Sequence, residues 1–392
     1  MGLLDGITVV ALEQAVAAPY ATRQLGDLGA RVIKVERVGE GDFARRYDAT
    51  VRGQSSYFVW CNRSKLSLTL NLKAEPSRPI LRRLIEKADV LVQNLGPGAA
   101  ARLGLAESKL RRAHPRLVVC DITGFGSEGP QSERRAYDLL VQAEAGAVSV
   151  TGTEAEPAKM GISIADVAAG TQAFIGILLA LQRRQQSGRG SHVEVSLLDA
   201  LAELTSQPEY FARYGGQRPR RTGQRHASIA PYGPFRCQDG EDVFIAVQNE
   251  REWIRLTQEL LGQPDLAGDP RFSTNEERVR HRDELEAVIS NWCSDRGRDE
   301  VITDLGAAGI AFAEVREAGS VWDHPQLLAR GRLGEVETPH GRITALLPPA
   351  QVDGIQYRLG PVPSLGEHTG EILQQLGYGP LEIEEFRAAG VV

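Results

Sequence analysis

Cysteine is scarce and badly placed for chemistry: Cys61, Cys120, Cys237 and Cys293 are scattered without a CxxC pair or metal-ligand spacing. That spacing excludes a disulfide framework and predicts reduced thiols, no zinc site and no disulfide. The glycine fingerprint of dinucleotide folds is also missing. The first turn reads Glu13-Gln-Ala-Val-Ala-Ala-Pro19, so an NAD enzyme is disfavoured even though the second strand ends in Glu36, where such folds place a ribose-binding acid. GxxxxGK[ST] is absent, GxSxG is absent, and the seven histidines are isolated, which leaves acyl transfer through serine unsupported. Apolar runs such as Phe174 to Leu181 fall short of a membrane span, and Met1 is not followed by a basic and then apolar leader. A formal net charge of −6 with no extended basic face argues against nucleic acid. These absences predict a cytoplasmic chain with neither a membrane nor a nucleic-acid partner.

What is present is an alternation of strands and helices. Ile7 to Leu12, Arg31 to Glu36, Leu66 to Leu72, Val90 to Asn94 and Leu117 to Ile122 read as buried strands. Helices over Pro19 to Leu28 and Arg78 to Ala88 lie between, and His192 to Ser196 is a further strand after the stop Gly188-Arg-Gly190. The pattern predicts an α/β protein whose large domain is a doubly wound, Rossmann-like parallel sheet. At 392 residues a second domain is expected. The division predicted is 1–200 for the large domain, 201–225 for a Gly, Pro and Arg-rich linker, 226–330 for a smaller α+β domain and 331–392 for a segment returning to the first. The small domain opens with a hairpin over Phe235 to Val247, then helices over Glu250 to Leu261 and Glu276 to Cys293. The last segment carries a hairpin over Val336 to Leu346 and helices over Gly366 to Leu376 and Pro380 to Ala389.

One carboxylate stands out. Gly161-Ile-Ser-Ile-Ala-Asp166 runs directly into an apolar helical stretch, and Asp is both a favoured N-cap and a nucleophile when stripped of water. The helix N-terminus is expected to keep Asp166 ionised even when partly buried. Lys34, Arg37, Arg45 and Arg46 cluster at the carboxyl end of the second strand, where open α/β sheets bind ligands, and suit phosphate. The loop Asn94-Leu-Gly-Pro-Gly98 follows another strand and leaves backbone N–H groups open.

Taken together, Leu25 to Arg37, Asn94 to Gly98, Thr123-Gly-Phe-Gly-Ser-Glu-Gly-Pro130, Ala136-Tyr-Asp138, Asp166, Ser187-Gly-Arg-Gly190 and Leu365-Gly-Glu-His-Thr369 resemble the class III CoA-transferases over nearly the whole length. That group includes formyl-CoA and carnitine-related transferases and the α-methylacyl-CoA racemases. The resemblance implies that Asp166 is the nucleophile, forming an aspartyl anhydride and then an aspartyl-CoA thioester. It implies CoA contacts at Val16, Ala17, Arg37, Leu70, Lys73, Asn94, Leu95, Gly96, Arg102, Arg135, Ala136, Tyr137 and Asp138. CoA is then a co-substrate, with no permanently bound cofactor and no metal, and an interlocked homodimer is implied.

Racemases of this group carry His where this chain has Tyr137. A phenol, with a reference pKa of about 10, is a poor base for an α-proton near neutral pH, so a CoA-transferase is favoured, with the racemase as the alternative and a non-catalytic CoA-ester-binding protein as a remote one. No tetraglycine loop is present, which disfavours oxalate as acceptor. Arg225 to Phe235 and Val247 to Trp253 look like members acting on C4 and C5 dicarboxylates such as itaconate, mesaconate or citramalate, with succinyl-CoA as donor. Arg225, with His226 or Arg46, is the expected cation for the unreactive carboxylate.

Overall fold

The computed structural model describes residues 2–392. The chain divides into two compact units, one formed by residues up to Ala147 with Met160–Gln207 and Pro325–Val392, the other by Val148–Lys159 with Pro208–His324.

The first unit is built on a six-stranded sheet of β1 (Thr8–Leu12), β2 (Arg31–Glu36), β3 (Lys65–Thr69), β4 (Val90–Gln93), β5 (Val118–Thr123) and β6 (His192–Ser196). The order is β3-β2-β1-β4-β5-β6 and every pairing is parallel, the doubly wound arrangement expected from the alternation. These strands read as unbroken apolar runs because both sheet faces are covered. Val9, Ala11, Val32, Val90, Val92, Val118 and Cys120 point to one face, under the helices Ala17–Asp27 and Ile164–Ser187. Val10, Leu12, Ile33, Val35, Leu91 and Val119 point to the other, under Ser77–Glu86 and Glu107–Ala113. The order reverses between β1 and β4, so the loops leaving these strands diverge and open a crevice at their carboxyl ends.

The Ile164–Ser187 helix is long and apolar enough to cross a membrane by length and composition. Here it is a core helix: Ala165, Ala169, Ala173 and Ile177 are buried on one face, while Ile175 and Leu179 remain exposed on another. Gly170 sets its depth, because a Cβ there would meet the Ala17 carbonyl oxygen at 2.5 Å. The helix ends at Gly188, whose φ of +69° is the left-handed conformation that glycine adopts without strain.

The Leu365–Thr369 segment covers the free edge of β3. Ser67 donates its N–H to His368 Nδ1 and its carbonyl accepts the His368 N–H, while the Thr69 N–H donates to Thr369 Oγ1. A motif that carries part of the family resemblance thus satisfies an edge strand. A short antiparallel hairpin of Leu333–Val336 with Ile343–Leu346 precedes it.

In that second unit β7 (Tyr232–Arg236), β8 (Asp242–Ala246) and β9 (Ala311–Glu314) form an antiparallel sheet over a core of Trp253, Phe272, Leu285 and Ile289. The third strand escapes a hydrophobic reading because Ala311–Glu314 is short and exposed along its length. The expected Glu276 to Cys293 helix is broken at His281 into Asn275–Arg280 and Arg282–Ser294. Where the sequence suggests an exposed connection from residue 201, helices Leu197–Leu204 and Ser206–Gly215 run on to Gly215. Irregular chain begins only after it.

Candidate active site

The turn after β1 is held by three side chains, Asn94 and Asp42 from other segments and Glu13 from the turn itself. Asn94, immediately after β4, accepts the Gln14 N–H at 2.9 Å and donates back to the Gln14 carbonyl at 2.9 Å, clasping the crevice across the point where strand order reverses. Asp42 accepts the Ala15 N–H at 3.1 Å, and Ala15 sits at φ +63°, a left-handed conformation costly for a residue with a Cβ. Glu13 anchors the turn from below: its carboxylate meets Lys65 Nζ at 2.6 Å, Lys34 Nζ at 3.3 Å and Thr22 Oγ1 at 2.6 Å.

Lys34, read in sequence as one of a phosphate-facing basic group, is therefore fully buried, paired with Asp42 at 2.8 Å as well as Glu13. Burial opposes its charge, but the Asp42 and Glu13 carboxylates outweigh that and hold it above the usual lysine value. Lys65 is tipped the other way, down to about 8, by burial and by Lys34 beside it against the pull of Glu13. Arg45 is also committed, forming a two-point contact with Glu36 and reaching the Pro363 carbonyl. Glu36, at the ribose-binding position of a dinucleotide fold, spends its oxygens on Arg45, Ser67 and the Asp42 N–H. Despite burial those donors lower it to about 2, which makes it a structural anion.

Above this floor lies a cavity of about 1390 Å³ at the carboxyl ends of β1, β2 and β4 and the end of β3. Arg37, Leu70, Lys73, Leu95, Gly96 and Arg102 all line it, so residues far apart in sequence share one wall system. Arg37 is exposed and held only loosely, by Gln14 at 3.3 Å and Glu40 at 3.9 Å. Arg102 bends back to the Pro97 carbonyl at 3.2 Å. Sequence reasoning missed Arg78, Arg82 and Lys109, which line the same cavity from helices Ser77–Glu86 and Glu107–Ala113. Amphipathic patterning identifies those helices, but which of their charged residues face a ligand depends on how they dock.

Asp166 is the third residue of its helix, not its cap. The cap comes from Asp138, whose Oδ1 accepts the N–H groups of Ala165 at 2.8 Å and Asp166 at 3.2 Å, while Oδ2 accepts from Gln142 at 2.7 Å. This corrects the expected ionisation. With the helix end already taken by one carboxylate, burial and then the Asp138 charge push Asp166 up to about 7. Gly170 lies one turn further along the same helix face as Asp166 and packs against Ala17 and Tyr20, so this face is turned toward the Ala17–Asp27 helix, at whose start Val16 and Ala17 are buried. Tyr47 registers the same neighbourhood: burial, then the charges of Asp42 and Asp166, push its phenol up to about 12.

Tyr137 precedes the Asp138–Glu144 helix and is 63% exposed; Arg135 is exposed and Ala136 packs partly against the core. Arg46 donates to the Glu40 carbonyl at 3.0 Å and stays exposed. On the second unit Arg225 is engaged by Glu286 and His226 stacks on Tyr232 with ring centroids 5.2 Å apart. All four cysteines are unpaired and buried, and among the described residues no group of His, Cys, Asp or Glu is placed to hold a metal.

A sheet of this order with a cation-lined cavity at its switch point defines an α/β protein with a site suited to phosphate-bearing ligands, and the same unit carries the protonation-tuned Asp166. The chain belongs to CoA-transferase family III, whose model matches residues 4–369. It is 36% identical to the acetyl-CoA:oxalate CoA-transferase of Acetobacter aceti over 85% of each chain. It is 32% identical to the human succinyl-CoA:glutarate CoA-transferase, over 99% of this chain and 90% of that one, and 31% identical to the succinyl-CoA:mesaconate CoA-transferase of Haloarcula hispanica, over 97% and 98%. Among solved structures, a CaiB/BaiF family protein from Brucella suis superposes with a TM-score of 0.83 at 34% identity, covering 96% of this chain and 99% of that one.

Proposed function

We propose that this protein moves CoA from succinyl-CoA to a C4 or C5 dicarboxylate, with Asp166 as the covalent relay. The observation that carries the reading is the presence of two features in one unit: a cavity walled by Arg37, Lys73 and Arg102 that reaches the turn after β1 at Glu13 and Gln14, and a half-buried carboxylate on the helix that packs against Ala17, three residues further on. The cations suit the 3′-phosphate and pyrophosphate of CoA, with the pantetheine arm directed toward Asp166. Leu70, Leu95 and Gly96 line the same cavity. Asn94 contributes by holding the turn, and Asp138 by holding the helix of the nucleophile. Arg135, Ala136 and Tyr137 approach from the segment leading into that cap.

In the proposed reaction Asp166 attacks the donor thioester carbonyl, the C–S bond breaks, and a mixed anhydride and CoA thiolate form. The thiolate attacks the aspartyl carbonyl, releasing succinate and leaving an aspartyl-CoA thioester. The acceptor carboxylate then attacks that thioester, and the returning thiolate takes its acyl group, regenerating Asp166. The acyl carbon and the thiol sulfur keep their oxidation states in each step, so the reaction as written needs no electron donor or acceptor. A pKa of about 7 is consistent with a carboxylate stripped of water, whose reactivity rises as it ionises.

Relatives named for glutarate and mesaconate support a dicarboxylate acceptor with succinyl-CoA as donor, while the relative named for oxalate keeps a shorter diacid in contention. Arg225 is paired with Glu286, so the distal carboxylate falls to Arg46, exposed beside Tyr47 and held only by Glu40. The exposed apolar side chains Leu139, Leu140, Ile175 and Leu179 support a homodimer, and we place the enzyme in the cytoplasm. The test is to incubate the protein with succinyl-CoA and glutarate, mesaconate, itaconate, citramalate, malate or oxalate, and to identify new CoA esters by mass. C4 or C5 esters support the reading. Oxalyl-CoA alone contradicts the chain length, and α-proton exchange in D₂O without an acceptor favours the racemase.

A further inference from the structure

A line of polar contacts runs from the start of β6 across β5 to the end of β4 and ends on the cavity wall. His192 Nε2 lies 2.8 Å from Asp121 Oδ2, Asp121 Oδ1 accepts from Gln93 Nε2 at 3.0 Å, and Gln93 Oε1 accepts the Leu95 N–H at 2.7 Å. The three side chains come from the adjacent strands β6, β5 and β4, and Gln93 and Asp121 are register partners. We propose that Gln93, oriented by Asp121 and His192, is a positioning residue that fixes the Leu95–Gly96 wall of the CoA cavity; the inference rests on the CoA reading of that cavity.

The argument is one of donors and acceptors. β4 ends at Gln93, so the Leu95 N–H lies beyond the last ladder position. A side-chain amide presents an acceptor on one side and donors on the other, and it serves Leu95 only when the oxygen faces that way. Asp121 Oδ1 accepts from the NH₂ side of Gln93 and so selects the productive orientation. His192 in turn holds the other Asp121 oxygen. Gln93 is 7% exposed, so no bulk water replaces a lost partner cheaply. Asp166 makes no contact with any member of the line, so the effect belongs to substrate binding and not to the chemical step.

Three variants test this, with CoA binding read by calorimetry and turnover read with succinyl-CoA and the acceptor found active. Gln93→Leu is expected to raise Kd for CoA and KM for succinyl-CoA about fivefold, as loss of one buried hydrogen bond does, with kcat within about twofold. Gln93→Glu alone sets a second carboxylate against Asp121 and is expected to be at least as poor. The double variant Gln93→Glu with Asp121→Asn exchanges donor and acceptor between the two strands, keeps an oxygen for Leu95, and is expected to return Kd to within about twofold of wild type. Should Gln93→Leu fold poorly, His192→Gln carries the same test from the outer end, with a raised Kd and unchanged kcat expected. Unchanged Kd in these folded variants, or no recovery in the double variant, overturns the inference while leaving the function intact. A wild-type protein that binds no CoA overturns the reading of the cavity and the inference with it.

Discussion

Asp166 and Asp138 divide two tasks between residues of the same type. One carboxylate is consumed by backbone N–H groups, and the other is left half-buried beside it and pushed up to about 7. The kinetic consequence is an acid limb: kcat/KM for the acyl-CoA falls about tenfold per pH unit below pH 7, because only ionised Asp166 attacks. Asp138→Asn keeps an oxygen for the helix cap but removes the neighbouring charge, so the limb moves to lower pH, as a pH profile will show. The same shift affects stability. A carboxyl whose folded value lies above its unfolded value of 3.8 favours the protonated folded form, so its cost is absent below about pH 4, grows as pH rises, and is complete above about pH 7. Asp166→Asn is therefore expected to be more stable than wild type by about 2 kcal/mol at pH 8, and equal to it near pH 4, in denaturant unfolding. Asp166 itself was legible in sequence, from its place at the head of an apolar helix. Its ionisation was not, because that depends on Asp138, which lies 28 residues earlier and meets it only in the fold.

At the scale of elements, the strands were legible because buried parallel strands are short apolar runs, and β2 and β6 begin and end where the pattern places them. Their order, and hence the position of the crevice between β1 and β4, is not encoded in any local pattern. Nor is the fate of charged residues at strand ends. Lys34 and Arg37 look equivalent in sequence, yet side chains alternate across a strand, and Lys34 turns into the buried Glu13–Asp42–Lys65 network while Arg37 reaches the cavity. Removing the Lys34 cation leaves two buried carboxylates short of a partner, so Lys34→Met should cost about 3–5 kcal/mol by thermal or chemical unfolding. The helix crossing makes a second demand. Gly170→Ala drives a methyl into the Ala17 carbonyl, and is expected to destabilise the protein by about 1–3 kcal/mol and to lower kcat by shifting the turn that carries Asp166.

The whole molecule is one chain in two compact units, and the cavity and Asp166 both belong to the unit built on the parallel sheet. The family was legible in ordered motifs spread along the chain; in the fold, Leu365 to Thr369 covers an edge strand and Asn94 clasps a turn. Arg78, Arg82 and Lys109 became visible only once two helices had docked over the sheet. In the proposed reaction, substrate choice depends on what meets the acceptor's distal carboxylate. If Arg46 meets that carboxylate, Arg46→Leu raises KM for a dicarboxylate acceptor about tenfold and leaves a monocarboxylate acceptor unaffected, in paired steady-state assays. The central claim is that one aspartate carries the acyl group and then CoA. It is tested most directly by mixing the protein with succinyl-CoA, trapping with hydroxylamine and mapping the modified peptide by mass spectrometry. The account predicts modification at Asp166 and none in the folded Asp166→Asn variant; a trapped adduct on any other residue, with Asp166 untouched, would contradict it.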